Sequence, residues 1–439
     1  MDPGRCPGRR NSLSRPGRLL VGSPNLEAPA APDRHGARSQ DRAEHSLSIS
    51  RQLPAWSPLT LSAIGSGVAA LFSDGSAVDA LSARIREEYT CADVALVDSG
   101  TTALALAFAA SAATRRPRIA LPAYGCFDLM TAADSVDAEV ALYDLDPATL
   151  APDLDSLARA TTAGIDAVVV AHWYGLPAEL GPAGELAGRM GALLIDDAAQ
   201  GVGTSIGGRP AGSAGDFGVL SFGRGKGRTG GHGGALLANS PRAAALMSAL
   251  TRSLPPAPAR IRDLAALLAQ WMLGRPTLYG IPAAIPRLRL GETVYRAPSR
   301  AARIQPSAAA VANAVWERSA REVAIRRSNA ARWSRILEAA VDLDGYGVPP
   351  GSESGWLRFP VRARGRCHAV LAEPRSRALG VMPGYPKVLG ELPVAPTRLR
   401  DAAARCPGAV ELSRSLFTLP THSLLRPYDL NAITRSIGL

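Results

Sequence analysis

Seven short apolar runs, each followed by an alanine-rich stretch with helical spacing, constrain the fold of this 439-residue chain more than any other feature. Each run has four or five residues and is apolar on both faces, which is typical of a strand buried in a parallel sheet. The runs are residues 94–97, 118–121, 139–143, 167–171, 192–195, 218–222 and 234–237. The pattern predicts an α/β domain whose mostly parallel, seven-stranded sheet is covered by helices on each side.

Composition divides the rest of the chain. Residues 1–50 are rich in Pro, Gly, Ser and Arg with almost no apolar periodicity, so we expect a disordered extension. The large domain is predicted over residues 51–305, with an inserted, proline-punctuated connector at 255–294. A smaller C-terminal α/β domain is predicted over 306–439, with a helical pattern at 306–340, a strand-like run at 356–361 and a final helix near 429–437.

Charge and cysteine content argue against several functional classes. The net charge is +11, but the N-terminal stretch up to residue 51 alone holds nine arginines and five acids, and the remaining charge lacks interleaved aromatics. Nucleic-acid binding is therefore disfavoured. The five cysteines show no metal-ligand spacing and no C-x-x-C pair, so we expect no metal site and reduced thiols in a cytoplasm. No apolar run reaches the roughly 18 residues that a membrane span requires.

One lysine lies in a glycine-rich loop. Of the 49 lysines and arginines only Lys226 and Lys387 are lysines, and Lys226 follows a predicted buried strand within the sequence G-R-G-K-G-R. An amine, unlike a guanidinium, can lose its proton and attack an aldehyde, and glycines leave room for a flat cofactor. A nucleotide-binding P-loop is excluded, because that motif requires Gly at Leu220 and Ser or Thr at Gly227.

Two further segments place polar groups at strand ends. At residues 98–104, small and hydroxyl residues join a strand to a helix, and such a turn can bind phosphate through free N–H groups and the Thr101 and Thr102 hydroxyls. Simple helix capping is the alternative. At residues 196–200, Asp196 and Asp197 end a buried strand, where ligands of open α/β sheets bind. Capping of the next helix by Asp197 is again the alternative.

These segments, in this order and spacing, resemble the DegT/StrS family of aminotransferases. These are pyridoxal phosphate (PLP) enzymes of the aspartate-aminotransferase fold, fold type I, that typically aminate keto sugars on nucleotide carriers. The family pattern S-G-T-x-A-L appears at 99–104, E-D-A-A-Q appears as D-D-A-A-Q at 196–200, and G-S-x-G-D appears at 212–216. S-F-x-x-x-K appears at 221–226, and with weaker matches the resemblance covers about residues 52–439.

The resemblance implies a role for each matching residue. Lys226 would form the internal Schiff base and shuttle the proton. Asp197 would pair with the pyridine nitrogen, Gln200 would meet the ring oxygen, and His172 would either approach that oxygen or be a satisfied core residue. The phosphate would be held by Gly100, Thr101, Thr102 and Ser221.

The chain also departs from the family pattern. Cys126 stands where the family usually has an aromatic residue on the cofactor ring, so the contact would be thinner unless Tyr124 or Phe127 takes its place. The family's G-E-G-G is G-H-G-G at 231–234, and the asparagine that a partner subunit often offers to the phosphate is missing at 298–300.

The resemblance implies transamination, with glutamate or glutamine as amino donor. The acceptor would be a keto sugar nucleotide or related cyclic ketone in polysaccharide or natural-product biosynthesis, and the enzyme would be a homodimer. Two alternatives stay open. One is a PLP-dependent sugar dehydratase, although those enzymes replace the lysine with histidine. The other is a non-catalytic protein with the PLP fold, suggested by Cys126 and the missing asparagine.

Overall fold

The computed structural model describes residues 50–439 apart from 74, 113, 258–260, 289, 291 and 292. All but the last residue of the predicted N-terminal extension therefore lies outside the described residues. Within the described part of the chain, no helix is long and apolar enough to span a membrane.

A seven-stranded sheet forms the centre of the structure, and its strands lie where the apolar runs predict them. They are β1 (Asp93–Val97), β2 (Arg118–Pro122), β3 (Glu139–Tyr143), β4 (Ala167–Ala171), β5 (Leu193–Asp197), β8 (Phe217–Ser221) and β9 (Gly234–Ala238). Between β5 and β8 lie the two-residue strands β6 (Ser205–Ile206) and β7 (Arg209–Pro210). The order across the large sheet is β1-β9-β8-β5-β4-β2-β3. Only β9 runs antiparallel to its neighbours, β1 and β8, so the predicted mostly parallel sheet is confirmed.

Helices before, between and after the strands cover both faces of this sheet. They are α1 (Leu61–Ala69), α2 (Ser76–Tyr89), α3 (Gly100–Ser111), α4 (Asp128–Ser135), α5 (Leu154–Thr161), α6 (Gly181–Arg189) and α7 (Pro241–Thr251). Several begin at a polar cap: the Ser99 and Asp153 side chains accept the N–H groups of Thr102 and Ser156 at the starts of α3 and α5. Helix α3 is buried along nearly its whole length, which explains its run of alanine and leucine.

The connector at 255–294 contains two helices, α8 (Ile261–Leu273) and α9 (Gly280–Ala283). Leu264 and Leu267 of α8 are buried together with Ala63 and Ile64 of α1 and Val311. The connector is thus packed onto the large sheet unit through an apolar cluster of its own.

The predicted 306–340 helix is divided into α10 (Pro306–Ala314) and α11 (Trp316–Leu337). After it, a four-stranded antiparallel sheet has the order β10-β12-β14-β13. Its strands are β10 (Leu343–Gly345), β12 (Phe359–Ala363), β13 (Met382–Pro383) and β14 (Leu416–Leu419); β11 (Ser352–Glu353) pairs instead with β6. Strand β12 begins later than the predicted 356–361 run because Trp356 has a positive φ of 43°, which interrupts an extended strand.

The remaining helices are α12 (Cys367–Ala372), α13 (Pro374–Ala378), α14 (Thr397–Ala404), α15 (Pro407–Ser415) and α16 (Pro427–Ser436). The last of these confirms the predicted C-terminal helix. A boundary between two domains at residue 305 stays a prediction.

Candidate active site

The site lies at the carboxyl edge of the large sheet. Strands β4, β5 and β8 are parallel neighbours, so the residues at their ends meet: His172 follows β4, Asp197 ends β5 and Ser221 ends β8. Gly234, at the start of β9, pairs with both Ser221 and Val97. This pairing brings the turn after β1 to the same level as Ser221.

Asp197 is buried, with one oxygen left for a ligand. Its Oδ1 accepts the Ala199 N–H at 3.0 Å, and its second oxygen has no hydrogen-bond partner among the described residues. Burial raises the pKa of this carboxyl group, while the Ala199 N–H and the positive charge of Lys226 oppose the rise. Asp197 is therefore placed to receive a cationic N–H donor.

Lys226 is half-buried in the glycine-rich loop that follows β8. Its charge acts on both Asp197 and Cys126, so the structure brings the three predicted residues into one region. Gly225 next to it has a φ of +71°, a conformation that favours glycine and lets the loop turn.

The predicted phosphate turn is built by the start of α3 and the end of β8. A Cβ atom at Gly100 would lie 3.2 Å from the Ser221 hydroxyl oxygen, so the two residues are in contact. The Thr101 hydroxyl has no partner among the described residues. Thr102 differs: its hydroxyl donates to Asp98 at 2.6 Å and its N–H to the Ser99 hydroxyl. Ser99 is thus the residue that caps α3, and the Thr102 hydroxyl is already engaged with Asp98; a phosphate contact of Thr102 stays a prediction.

His172 is fixed by hydrogen bonds at both ring nitrogens. Nε2 lies 2.8 Å from Oδ1 of Asp196, and Nδ1 accepts the Ala178 N–H at 3.0 Å. The ring is fully buried. A hydrogen bond from His172 to a cofactor would have to displace one of these partners, so the ring face is the part that remains available.

Gln200 connects the site to an aromatic cluster that the sequence reasoning missed. Its side-chain oxygen accepts the Tyr174 N–H at 2.8 Å, and its NH2 group donates to the Tyr385 hydroxyl at 2.7 Å. The Tyr385 ring contacts the rings of Tyr124, Trp173 and Tyr174 with centroid distances of 5.3–5.8 Å. An isolated tyrosine in the C-terminal part of the chain gave no signal that it would reach this site.

Cys126 has a neutral thiol at this site. Burial raises its pKa to about 12, and the negative charge of Asp128 adds to that effect. Tyr124 does not substitute for it, because the Tyr124 hydroxyl lies 2.7 Å from that of Tyr174 and its ring is fully buried in the aromatic cluster. A neutral thiol is a poor nucleophile, and its contact with the cofactor ring stays a prediction.

These groups fit PLP. A buried carboxylate with one free oxygen suits a protonated pyridine nitrogen, the Lys226 amine suits the aldehyde, and the contact between Gly100 and Ser221 beside the free Thr101 hydroxyl suits a phosphate. The fold and this set of groups are those of the PLP-dependent fold type I class.

Comparison with known proteins gives the family. The DegT/DnrJ/EryC1/StrS aminotransferase family profile matches residues 66–438, and the chain belongs to this family. Its membership confirms the predicted family, fold and cofactor, pyridoxal phosphate.

The chain is similar to curated relatives and solved structures. An L-glutamine:2-deoxy-scyllo-inosose aminotransferase from Streptoalloteichus tenebrarius is 36% identical over 169 residues, which are 37% of this chain and 40% of that protein. A dTDP-4-dehydro-2,3,6-trideoxy-D-glucose 4-aminotransferase from Saccharopolyspora spinosa is 33% identical over 151 residues, 34% of this chain and 39% of that protein. The chain thus matches about two fifths of the length of these relatives. A DegT DnrJ EryC1 StrS aminotransferase from Brucella abortus shares the fold, with a TM-score of 0.64, 20% identity, and coverage of 92% of this chain and 97% of that one.

Proposed function

We propose that the protein is a PLP-dependent aminotransferase that moves the amino group of glutamine or glutamate to a keto sugar nucleotide or a related cyclic ketone. The observation that carries the proposal is that the glycine-loop amine of Lys226 lies near enough to the buried carboxyl group of Asp197 for its charge to oppose the rise in the pKa of that group, while one Asp197 oxygen has no hydrogen-bond partner among the described residues. Family membership supports the reaction class, the name of the first relative supports glutamine as donor, and the two names support a cyclic ketone or a keto sugar nucleotide as acceptor.

The cofactor, when bound, supplies an aldehyde and an electron-withdrawing ring. Asp197 would hold the proton of the ring nitrogen, and its burial would strengthen this charged contact because solvent is excluded. The Lys226 amine would accept and return the proton that transamination moves. Thr101 and Ser221 would bind the phosphate. Gln200 is held in a fixed orientation by Tyr174 and Tyr385.

The test is borohydride reduction of the PLP-loaded protein followed by peptide mass mapping, together with absorbance changes on adding glutamine or glutamate. We expect the pyridoxyl label on Lys226 alone and a shift of the cofactor band with the true donor. Lys226→Ala should lose the label and all detectable transamination. Lys387→Ala is the matched control, because Lys387 is the other lysine of the chain and is exposed.

A label on Lys387, or transamination retained in Lys226→Ala, would contradict the proposal. A label on Lys226 with no response to any amino acid would favour the non-catalytic alternative. Screening keto sugar nucleotides and cyclic ketones with the amine-loaded protein then identifies the acceptor.

A second copy of the chain is the proposed partner. Apolar side chains are exposed on neighbouring helices α1 and α8: Leu61 (51%), Val68 (43%), Leu268 (45%) and Met272 (48%). Phe72, just after α1, is 88% exposed, and such a patch is costly to leave in water. Light scattering of the purified chain tests for a dimer.

The free thiols of the described cysteines, none in a disulfide, support a reducing cytoplasm.

A further inference from the structure

The backbone at Lys226 receives little support from its own loop. Gly223, Gly225 and Gly227 surround it, and glycine-rich segments have many accessible conformations. Among the described residues, the Lys226 N–H makes one long hydrogen bond, to the Gly223 carbonyl at 3.4 Å. The Lys226 carbonyl accepts a much shorter one, 2.6 Å, from the hydroxyl of Ser57. The strongest hold on this backbone therefore comes from a distant part of the chain.

Ser57 belongs to the segment 51–57, which we call the strap. Its first residues are tied to the C-terminal part of the chain: the Gln52 side chain donates to Asp429 at 2.8 Å, and the Leu53 carbonyl lies 2.8 Å from Nε2 of His422. The Gln52 N–H donates to the Ala378 carbonyl, also at 2.8 Å. The strap is thus anchored before it reaches the lysine loop.

Arg326 holds the other end of the strap. This arginine of α11 is fully buried, and its Nη2 donates to the Trp56 carbonyl at 2.7 Å, one residue before Ser57. Its Nη1 lies beside the loop, 3.1 Å from where a Cβ atom of Gly227 would be. Nε and Nη1 have no hydrogen-bond partner in the part of the chain that the structure describes, and Glu322 is 4.0 Å from Nε. The short hydrogen bond of this buried guanidinium is therefore the one that it donates to the Trp56 carbonyl.

We propose that the strap positions the catalytic lysine, with Ser57 and Arg326 as its positioning residues. Ser57 clamps the Lys226 carbonyl, and Arg326 fixes the strap where Ser57 must stand. The glycines of the loop leave space for the cofactor, and the strap, which lies outside the loop, keeps the loop ordered. This inference rests on the proposed function only in that Lys226 is the residue that carries the cofactor.

The experiment compares Ser57→Ala and Ser57→Thr with Thr60→Ala. Thr60 lies three residues from Ser57 and caps α1 by accepting the Ala63 N–H; within the described residues its side chain has no hydrogen bond to the lysine loop. Removing the Thr60 hydroxyl should lower the stability of the same stretch of chain, so Thr60→Ala is the matched control. Ser57→Thr keeps the hydroxyl and serves as the rescue variant.

The first measurement is hydrogen–deuterium exchange of peptides covering residues 222–231 in the protein without cofactor. Loss of the 2.6 Å hydrogen bond should raise exchange there about 10-fold in Ser57→Ala, whereas Thr60→Ala and Ser57→Thr should match the unmodified protein. The second is the donor half-reaction of the PLP-loaded protein. We expect kcat to fall about 10-fold in Ser57→Ala with donor KM nearly unchanged.

Unchanged exchange and unchanged kcat in Ser57→Ala would overturn the proposal, as would equal effects of Ser57→Ala and Thr60→Ala. Failure of the proposed function has a different signature: the unmodified protein would show no donor half-reaction. The exchange measurement without cofactor would still decide whether the strap orders the loop.

Discussion

Acid should destabilise this protein through one buried histidine, His422, whose Nε2 contacts the strap at the Leu53 carbonyl. Nδ1 is buried and has no hydrogen-bond partner among the residues that the structure describes, and Arg326 adds an unfavourable positive charge. Burial, the largest effect, lowers the pKa of His422 from 6.5 to about 4, with the Leu53 carbonyl opposing and Arg326 assisting the decrease. The folded protein therefore favours the neutral ring.

The sign and size of the effect follow from that shift. The unfolded chain binds the proton near pH 6.5, whereas the folded protein does not bind it until about pH 4. The contribution of His422 to the free energy of unfolding is thus fully present above pH 6.5 and is lost as the pH falls toward 4. At about 1.4 kcal/mol per pH unit, the total is about 3 kcal/mol.

Urea unfolding of the unmodified protein and of His422→Gln, from about pH 7.5 to about pH 4, measures this contribution. Glutamine removes the titrating ring and keeps an N–H donor, so the stability difference between the two proteins isolates His422 from the carboxyl groups that also titrate. We expect that difference to shrink by about 3 kcal/mol over this range. A difference that stays constant or widens as the pH falls would refute the reasoning.

Two further substitutions have expected outcomes. Asp197→Asn should lower kcat about 100-fold or more, because the cofactor ring loses its charged partner; a near-normal kcat would assign the ring contact to another residue. Thermal unfolding of this variant without cofactor at neutral pH should show no loss of stability, since burial already disfavours the ionised carboxylate. Gly203→Ala should cost about 2–4 kcal/mol in chemical denaturation, because Gly203 has φ +83° and a Cβ there would lie 2.5 Å from Val323. Gly207→Ala is its control, with φ +56° but open space around it, and an equal loss in both variants would show that only backbone strain matters.

Local pattern was sufficient for the sheet and for the chemical residues at its edge. Each apolar run predicted a strand because burial on both faces requires apolar side chains at consecutive positions, and all seven runs became strands of the large sheet. Asp197 was predicted because it ends such a strand, and Lys226 because it lies in the glycine-rich loop that follows one, so their place at the carboxyl edge depends on a few neighbouring residues.

The partners of these residues were decided only by tertiary structure. Tyr385 reaches Gln200 across 185 positions of the sequence, and Ser57 reaches Lys226 across 169. A single tyrosine or serine far along the chain carries no periodicity and no motif, so nothing local distinguishes it from a solvent-exposed residue. Likewise, His172 could be read as a ligand or as a core residue until Asp196 and Ala178 were seen to occupy both ring nitrogens. The sequence determined which groups stand at the sheet edge, whereas packing between distant segments determined how each group is held. Hydrogen bonds between residues far apart in the chain depend on positions in space that no short stretch of residues encodes.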